Sequence, residues 1–347
     1  MSTFYSLKVS TVRTLTPSSV AISLQVPGDL KDKFRFDAGQ HLTLKQEING
    51  VEVRRAYSIS SAPSESELTV GIKRVEGGTF STWANDSLKE SDSIEVMPPK
   101  GHFMFTPAEK GQNICAFAAG SGITPIMSIM ESVLDSNPEN TFVLVYGNQS
   151  PEETMYHEKI EELSKKYKDR FSVKFIYSRS REEDALQGRI DGSIVNLIIK
   201  NKFSDRNFDH FYICGPEGMI DNVRETLVKN EVAEDKIHFE LFTTSQEEDV
   251  SDLEGETKME VTLDDEVFSF VMDKKKIVLD AVLNEDIDAP YSCQGGVCST
   301  CIARVTEGKA EMVKNQILTD SEIEEGFILT CQSHPLTPTL KIDYDDV

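Results

Sequence analysis

Three features are missing from this 347-residue sequence, and each absence excludes a class of protein. The N-terminal stretch MSTFYSLKVSTVRTL has no apolar segment of the kind that signal peptides carry. No apolar run approaches the roughly 20 residues that a membrane-spanning helix needs. Basic residues are also scarce, because 36 Lys and Arg stand against 59 Asp and Glu, a formal net charge of −23. We therefore expect a cytoplasmic protein that binds neither membranes nor nucleic acid, whose phosphates such a charge would repel.

Patterns of apolar and polar residues divide the chain into three modules and a linker. Residues 1–107 contain short alternating stretches separated by turns, which indicate an antiparallel β-barrel. Residues 108–243 alternate apolar strands with amphipathic helices, which indicates a doubly wound, mostly parallel α/β sheet. Residues 244–257 lack apolar periodicity and are interpreted as a linker. Residues 258–347 form a third module of strands and one helix, and it contains four cysteines.

The cysteine spacing in the third module is Cys293-x4-Cys298-x2-Cys301, followed by Cys331. Zinc sites usually combine two C-x2-C units, or one such unit with two spaced histidines, and this module has one C-x2-C. Disulfides are rare in a reducing compartment. The spacing is instead typical of plant-type [2Fe–2S] centres. Zinc and disulfides remain as alternatives.

The stretch APYSCQGGVCSTCIARVTEG, with LTCQSHP downstream, resembles a plant-type ferredoxin domain. This resemblance implies a β-grasp-like fold for residues 258–347 and makes the four cysteines ligands of a [2Fe–2S] cluster. The region from Glu247 to Val347 also carries 24 acidic and 8 basic residues. We therefore expect a partner protein to dock on the acidic ferredoxin domain through a basic surface, with a dependence on salt.

The barrel module contains RAYS, in which Arg55 can pair with a pyrophosphate and Tyr57 can offer a flat ring to an isoalloxazine. Ser58 can place its hydroxyl near the hydride that reaches flavin N5. The alternative is that these are ordinary residues at the rim of a barrel. A second stretch, IKRVEGGTFS, follows with a glycine turn that opens a helix, where free N–H groups can bind phosphate. Its candidate flavin-binding residues are Ile72, Lys73, Gly78, Thr79, Phe80 and Ser81.

Together these two stretches resemble the ferredoxin–NADP reductase family, and the second module continues the resemblance. AAGSGITP is a strand, glycine turn and helix start in which Pro125 replaces the third glycine of the common dinucleotide fingerprint. The family shows the same departure, which makes Gly120, Gly122, Thr124 and Pro125 candidate nicotinamide-nucleotide residues.

YICGPEGM resembles the second nicotinamide loop of that family, with Cys214 against the nicotinamide ring. Gly215, Pro216 and Met219 are its further candidates. The alternative for Cys214 is a buried core thiol. IHFELF resembles the terminal segment of the family, in which Glu240 lies near the nicotinamide and Phe242 covers the flavin.

The choice of nucleotide depends on Ser178 and Arg179, which follow the strand FIY. A hydroxyl and a guanidinium can hold the 2′-phosphate of NADPH, although an exposed loop of charges would look the same. We expect NADPH, with NADH as the alternative.

The order of modules resembles the reductase components of multicomponent oxygenases, with the phenylacetyl-CoA epoxidase reductases as the nearest group. The resemblance implies that electrons pass from NADPH through FAD and a [2Fe–2S] cluster to a diiron monooxygenase, with Ser58, Cys214 and Glu240 at the hydride step. Alternative acceptors are a Rieske or alkane oxygenase, a desaturase or a hybrid-cluster protein. FMN in place of FAD, and a redox-sensing module with little turnover, are further alternatives.

Overall fold

The computed structural model describes residues 3–242, 253–315 and 317–347. Within it, contacts group the chain into two compact units, Phe4–Leu241 and Phe242–Val347. The larger unit contains two six-stranded sheets, and the smaller contains a five-stranded and a two-stranded sheet. No helix among the described residues is long and apolar enough to cross a membrane.

The first sheet of the larger unit is antiparallel and has the order β4-β3-β6-β1-β2-β5. Its strands are β1 (Tyr5–Thr16), β2 (Ser19–Gln25), β3 (His41–Ile48), β4 (Val51–Ser58), β5 (Leu68–Lys73) and β6 (Ser93–Lys100), with the helix α1 (Thr79–Asp86) between the last two. Just beyond β4, Ile59 bridges to Val70 of β5, so the two edge strands meet and the sheet curls into a barrel. Alternate side chains of the strands, such as Leu42 and Leu44, are fully buried inside it.

The second sheet is wholly parallel, with the order β10-β9-β8-β7-β11-β12. Its strands are β7 (Asn113–Ala119), β8 (Thr141–Asn148), β9 (Phe171–Tyr177), β10 (Leu186–Gln187), β11 (His210–Cys214) and β12 (Ile237–Glu240). The helices are α2 (Ile123–Ser136), α3 (His157–Lys166), α4 (Gly192–Asn196) with a π-helical turn at Leu197–Lys202, and α5 (Glu217–Lys229). Parallel strands need such crossovers, and the buried apolar runs in the middle of β7 and β8 reflect burial on both faces.

The strand order reverses at β7, because β8 lies on one side of it and β11 on the other. In open α/β sheets, ligands bind beyond the carboxyl ends of the strands at such a switch point. The glycine turn after β7 and the cysteine that ends β11 are therefore neighbours at this edge.

The smaller unit has the sheet order β14-β13-β19-β15-β17 and a separate pair, β16-β18. Its strands are β13 (Glu256–Leu263), β14 (Glu266–Asp273), β15 (Ile302–Glu307), β16 (Ala310–Met312), β17 (Phe327–Leu329), β18 (Ser333–Pro335) and β19 (Thr339–Asp343). The helices are α6 (Val278–Asn284) and α7 (Asp320–Glu324). The last strand, β19, pairs in parallel with β13 in the middle of the sheet, which places the end of the chain beside its core.

The predicted fold classes of all three modules are confirmed. The predicted residue boundaries stay predictions. Most of the predicted linker, 244–257, lies outside the described residues, and its last two positions, Glu256 and Thr257, already belong to β13.

Candidate functional site

Strand β4, which the sequence predicts to lie against a flavin, carries the first group of predicted site residues. Arg55 and Tyr57 are two positions apart, so their side chains leave the strand on the same face. The half-buried Tyr57 ring lies 5.6 Å from the Phe80 ring, centroid to centroid. Burial raises the pKa of Tyr57, and the nearby Arg55 opposes the rise, so the phenol stays neutral beside a cation. This flat ring with an adjacent guanidinium suits a planar cofactor that carries phosphate.

The glycine turn before α1 is shaped by side chains as well as by glycine. Gly78 caps the helix, and a Cβ there would lie 2.6 Å from the Ser81 Oγ. Ser81 Oγ accepts a hydrogen bond of 3.1 Å from the backbone N–H of Val75, so its hydroxyl closes the turn. Phe80 is 1% exposed and anchors the helix in the barrel core. The first N–H groups of a helix have no partner within it and can bind phosphate, so the predicted phosphate contact of Thr79, the first residue of α1, stays a prediction.

The basic residues near this turn already have acidic partners. Lys73 Nζ lies 3.8 Å from Glu153 Oε2, and Ser18 Oγ donates to the same carboxylate oxygen at 2.8 Å. Arg74 pairs with Asp86 through both of its terminal nitrogens. Flavin binding by Lys73 stays a prediction, as does flavin binding by Ile72, whose side chain is fully buried in the barrel core.

The nucleotide turn Gly120–Gly122 connects β7 to α2 and requires glycine at two positions. Gly120 has φ of +54°, a left-handed conformation that side chains disfavour. A Cβ at Gly122 would lie 2.1 Å from the carbonyl oxygen of Cys214. The turn therefore packs directly against the end of β11. Thr124 Oγ1 donates to the Ser121 carbonyl at 3.0 Å, and Pro125 lies in the first turn of α2, where its missing N–H costs no hydrogen bond.

Three predicted residues from distant parts of the chain meet beside this turn. Cys214 and Glu240 are register partners on the neighbouring strands β11 and β12. Ser58, at the end of β4, donates a hydrogen bond of 3.1 Å from its Oγ to Glu240 Oε2. Cys214 is fully buried, and burial, followed by the charge of Glu240, raises the pKa of its thiol. Ser58 is 4% exposed. The end of β4 and the ends of β11 and β12 thus meet at one place.

The second nicotinamide loop continues from Cys214. Gly215 packs against Met219, whose Cε would lie 2.6 Å from an added Cβ, and Pro216 caps α5. The last predicted residue of this segment, Phe242, falls in the smaller unit, so its place over the flavin stays a prediction.

The two residues predicted to choose the nucleotide follow β9 at the same edge of the sheet. The backbone N–H of Ser178 donates to the carbonyl of Asn148 at 3.0 Å, and that of Arg179 donates to Gln149 at 2.9 Å. These bonds hold the loop while the Arg179 side chain is exposed. Arg179 is therefore accessible to solvent, and its contact with a nucleotide stays a prediction.

The four cysteines of the smaller unit are grouped at one place. Their thiols contact one another in the order Cys298, Cys293, Cys331 and Cys301. The contact with Cys293, followed by burial, raises the pKa of the Cys298 thiol. Within the described ranges, no three His, Cys, Asp or Glu side chains already surround a common point as metal ligands do. The thiols therefore meet pairwise.

The chemistry of this donor set fits an iron–sulfur cluster. Four thiols with no imidazole or carboxylate among them are the ligands that [2Fe–2S] centres use. Gly295 N–H donates toward Cys293 Sγ at 3.3 Å, and Cys298 Sγ lies 3.5 Å from Thr300 Oγ1. Gly296, with φ of +71°, lets the loop turn where a Cβ would lie 3.0 Å from the Lys314 carbonyl oxygen. The Gly295 N–H that points at the Cys293 sulfur favours the thiolate form that binds iron.

Two contacts of the site have no signal in the sequence. Glu153 pairs with Lys73, and Tyr156 OH lies 2.8 Å from Ser60 Oγ, both between the barrel and the parallel sheet. The Tyr156–Ser60 pair spans 96 positions, so no local spacing indicates it. A backbone clue is visible only in the structure, where Tyr156 has φ of +59° ahead of α3.

Comparisons with known proteins match all three modules. Residues 6–105 match the oxidoreductase FAD-binding domain, residues 117–225 the oxidoreductase NAD-binding domain, and residues 261–336 the 2Fe-2S iron-sulfur cluster binding domain. The fold and these domains define an oxidoreductase that combines flavin, nicotinamide nucleotide and iron–sulfur chemistry in one chain.

Similar proteins match this chain over nearly their full length. The chain is 37% identical to a component of the 1,2-phenylacetyl-CoA epoxidase of Escherichia coli (strain K12), over 99% of each chain. It is 33% identical to the ferredoxin reductase component of 3-ketosteroid-9-alpha-monooxygenase from Rhodococcus rhodochrous, over 97% of this chain and 96% of the relative. The structure of phthalate dioxygenase reductase superposes with a TM-score of 0.65 at 22% identity, covering 98% of each chain. The chain therefore belongs to the family of three-domain flavin and iron–sulfur reductases that includes these oxygenase components, and the predicted resemblance is confirmed.

Proposed function

We propose that this chain takes a hydride from NADPH and delivers single electrons to the oxygenase component of a phenylacetyl-CoA epoxidase-type diiron monooxygenase. The observation that carries the proposal is the bond between Ser58 and Glu240 beside Cys214. It joins the strand that would hold a flavin to the two strands that would hold a nicotinamide. The phenylacetyl-CoA acceptor is supported by the 37% identity to the epoxidase component.

The residues present fit FAD, a nicotinamide nucleotide and a [2Fe–2S] cluster. Tyr57 would stack on the isoalloxazine, Arg55 and the N-terminus of α1 would hold phosphate, and the four cysteines would bind the cluster. When bound, FAD accepts electron pairs and releases single electrons, which the cluster carries onward. The protein itself positions these groups and sets the polarity of their surroundings.

At the hydride step, each residue of the site has a distinct task. Gly122 lets its turn pack against the Cys214 carbonyl, and Gly215 packs against Met219, so the two loops lie together at the edge of the parallel sheet where a dinucleotide would bind. The buried, neutral Cys214 thiol would pack against the nicotinamide and exclude water. Ser58 is held by Glu240 with its hydroxyl at the junction, where it can exchange a proton with the bound flavin. Glu240 can take that proton, because it accepts the Ser58 hydrogen bond directly.

NADPH is the proposed donor because Arg179 is exposed beside Ser178 at the end of β9. A guanidinium and a hydroxyl at this edge are the groups that recognise a 2′-phosphate. FAD is proposed over FMN on the match to an FAD-binding domain. Extraction of the flavin and its identification by chromatography test this choice.

The decisive experiment combines the purified reductase with a phenylacetyl-CoA epoxidase oxygenase and follows epoxide formation with NADPH. Turnover is expected to fall as salt rises, because the acidic cluster domain would dock on a basic surface. A Cys298→Ser variant should lose the cluster and all transfer to the oxygenase, while it still reduces ferricyanide from the flavin. Loss of ferricyanide reduction as well would contradict the separation of the two steps.

A second candidate acceptor is the oxygenase of a steroid or betaine monooxygenase. It is supported by the relatives at 33% and 32% identity, whose names specify 3-ketosteroid-9-alpha-monooxygenase and glycine betaine monooxygenase. Parallel assays with these oxygenases decide between the acceptors. NADPH consumption without transfer to any of them would overturn the oxygenase proposal, and slow consumption with every artificial acceptor would favour a redox sensor.

A further inference from the structure

Tyr344 is a buried tyrosine near the end of the chain that the proposed electron path does not use. It follows β19 and is 5% exposed. Its backbone N–H donates to the carbonyl of Thr262 at 3.0 Å, which continues the pairing of β19 with β13. Its hydroxyl donates a hydrogen bond of 3.0 Å to Thr330 Oγ1. The end of the chain is thereby attached to the residue immediately before Cys331.

Thr330 passes this connection to a second cysteine. Its Oγ1 donates to the carbonyl oxygen of Cys301 at 2.9 Å, and its backbone N–H donates to the same oxygen at 3.1 Å. Thr330 is fully buried, and Cys301 is 1% exposed. Both lone pairs of one carbonyl are therefore used to join the Cys301 and Cys331 segments, which are far apart in sequence.

The Tyr344 hydroxyl has a specific effect on Thr330. Because Thr330 Oγ1 accepts the hydrogen of Tyr344, its own hydrogen is free to point at Cys301, and the hydroxyl cannot rotate without breaking two buried bonds. Burying a hydroxyl costs free energy unless it forms a hydrogen bond, and a phenylalanine would fill the same space without that cost. The Tyr344 hydroxyl therefore stabilises the fold only through its bond to Thr330.

We propose that Tyr344 is a positioning residue for the iron–sulfur cluster, acting through Thr330 to hold Cys301 and Cys331 in place as two of its four ligands. The inference rests on the proposed cluster. It extends the cluster site to a residue outside the cysteine loop, at the end of the last strand.

The test measures the release of the cluster from the full-length protein. Wild type, Tyr344→Phe, Thr330→Val and the double variant are mixed with excess iron chelator, and the visible absorbance of the cluster is followed relative to that of the flavin. Loss of one buried hydrogen bond should make release from Tyr344→Phe about fivefold faster. In the Thr330→Val background the tyrosine change should add nothing, since the two residues act as a unit. Thr330→Ser, which keeps the hydroxyl, should restore slow release.

A matched variant separates positioning from general loss of stability. Val261→Ala removes two methyl groups from the fully buried core of β13 in the same unit, and Val261 takes no part in the side-chain hydrogen bonds of Thr330. The two variants are compared when both lower the midpoint of denaturant unfolding by the same amount. If Val261→Ala then releases the cluster as fast as Tyr344→Phe, the proposal is overturned. Release at the wild-type rate from Tyr344→Phe, or additive effects in the double variant, overturns it too. If the purified wild-type protein contains flavin but no iron and no sulfide, the proposed cluster is overturned, and this inference with it.

Discussion

Replacing Ser58 with alanine tests the junction between the flavin strand and the nucleotide strands. Ser58 is 4% exposed, and its hydroxyl donates to Glu240 at 3.1 Å. A hydrogen bond to a charged group contributes about 1.5–3 kcal/mol. If that energy is expressed in the transition state for hydride transfer, the rate should fall about tenfold to a hundredfold.

The assay is anaerobic stopped-flow reduction of the bound flavin at saturating NADPH, which isolates hydride transfer from the later steps. Ser60→Ala is the matched control, because Ser60 is 2% exposed and also bonds across to the parallel sheet, through Tyr156. It lies two positions from Ser58 but has no contact with the Cys214–Glu240 pair in the described bonds. Ser60→Ala should therefore weaken the packing between the barrel and the sheet, with less than a roughly threefold effect on the hydride rate.

Two results would refute the reasoning. One is an unchanged rate of flavin reduction in Ser58→Ala at full flavin content. The other is an equal slowing in Ser58→Ala and Ser60→Ala, which would mean that the rate follows packing between the barrel and the sheet. A Ser58→Ala/Glu240→Gln double variant adds a third check, since two groups that act through one hydrogen bond should give a combined loss smaller than the product of the single losses.

Two further predictions concern the nucleotide and the barrel. In steady-state assays, Arg179→Gln should raise the KM for NADPH about tenfold or more and leave the KM for NADH nearly unchanged. Arg181 is also exposed in the same loop, and Arg181→Gln should change neither KM. Equal effects of Arg179→Gln on both nucleotides would contradict a 2′-phosphate contact. Burial, with help from Lys100 and His102, lowers the pKa of His41 from 6.5 to about 4. The unfolded chain therefore binds a proton that the folded barrel does not, so stability is present above pH 6.5 and is lost as pH falls toward 4, by up to about 3 kcal/mol. His41→Gln should flatten this slope in denaturant unfolding between about pH 7 and 4.5, and an unchanged slope would show that other groups carry it.

The modules and their order are accessible from the sequence because the signals are local. The spacing of Cys293, Cys298 and Cys301 is a property of nine consecutive residues, and a loop of that length can place its thiols only close together. The glycine turn at Gly120–Gly122 is equally local, since a strand, a turn and a helix follow one another directly. Alternating and apolar strand patterns separate the barrel from the parallel sheet because side-chain burial repeats along each strand.

The bonds that assemble the site are not accessible in this way. Ser58 and Glu240 are 182 positions apart. Each is predicted as a site residue from its own local motif, and neither motif indicates that the two residues bond to each other. The sequence predicts that Lys73 binds the flavin, and neither local sequence indicates the ion pair of Lys73 with Glu153. Such pairs depend on which strand ends meet, and a shift of one residue in strand register would turn the side chains to opposite faces.

By itself, the sequence determined the chemistry that each segment can offer: thiols spaced for a cluster, glycines for a nucleotide, and an aromatic strand for a flavin. Only the tertiary structure decided which of these groups touch. It placed Gly122 against the carbonyl of Cys214 and the hydroxyl of Tyr344 against Thr330. The physical reason is that spacing along a chain controls distances over a few residues, whereas contacts between distant segments are set by sheet order and register, which the whole fold stabilises together.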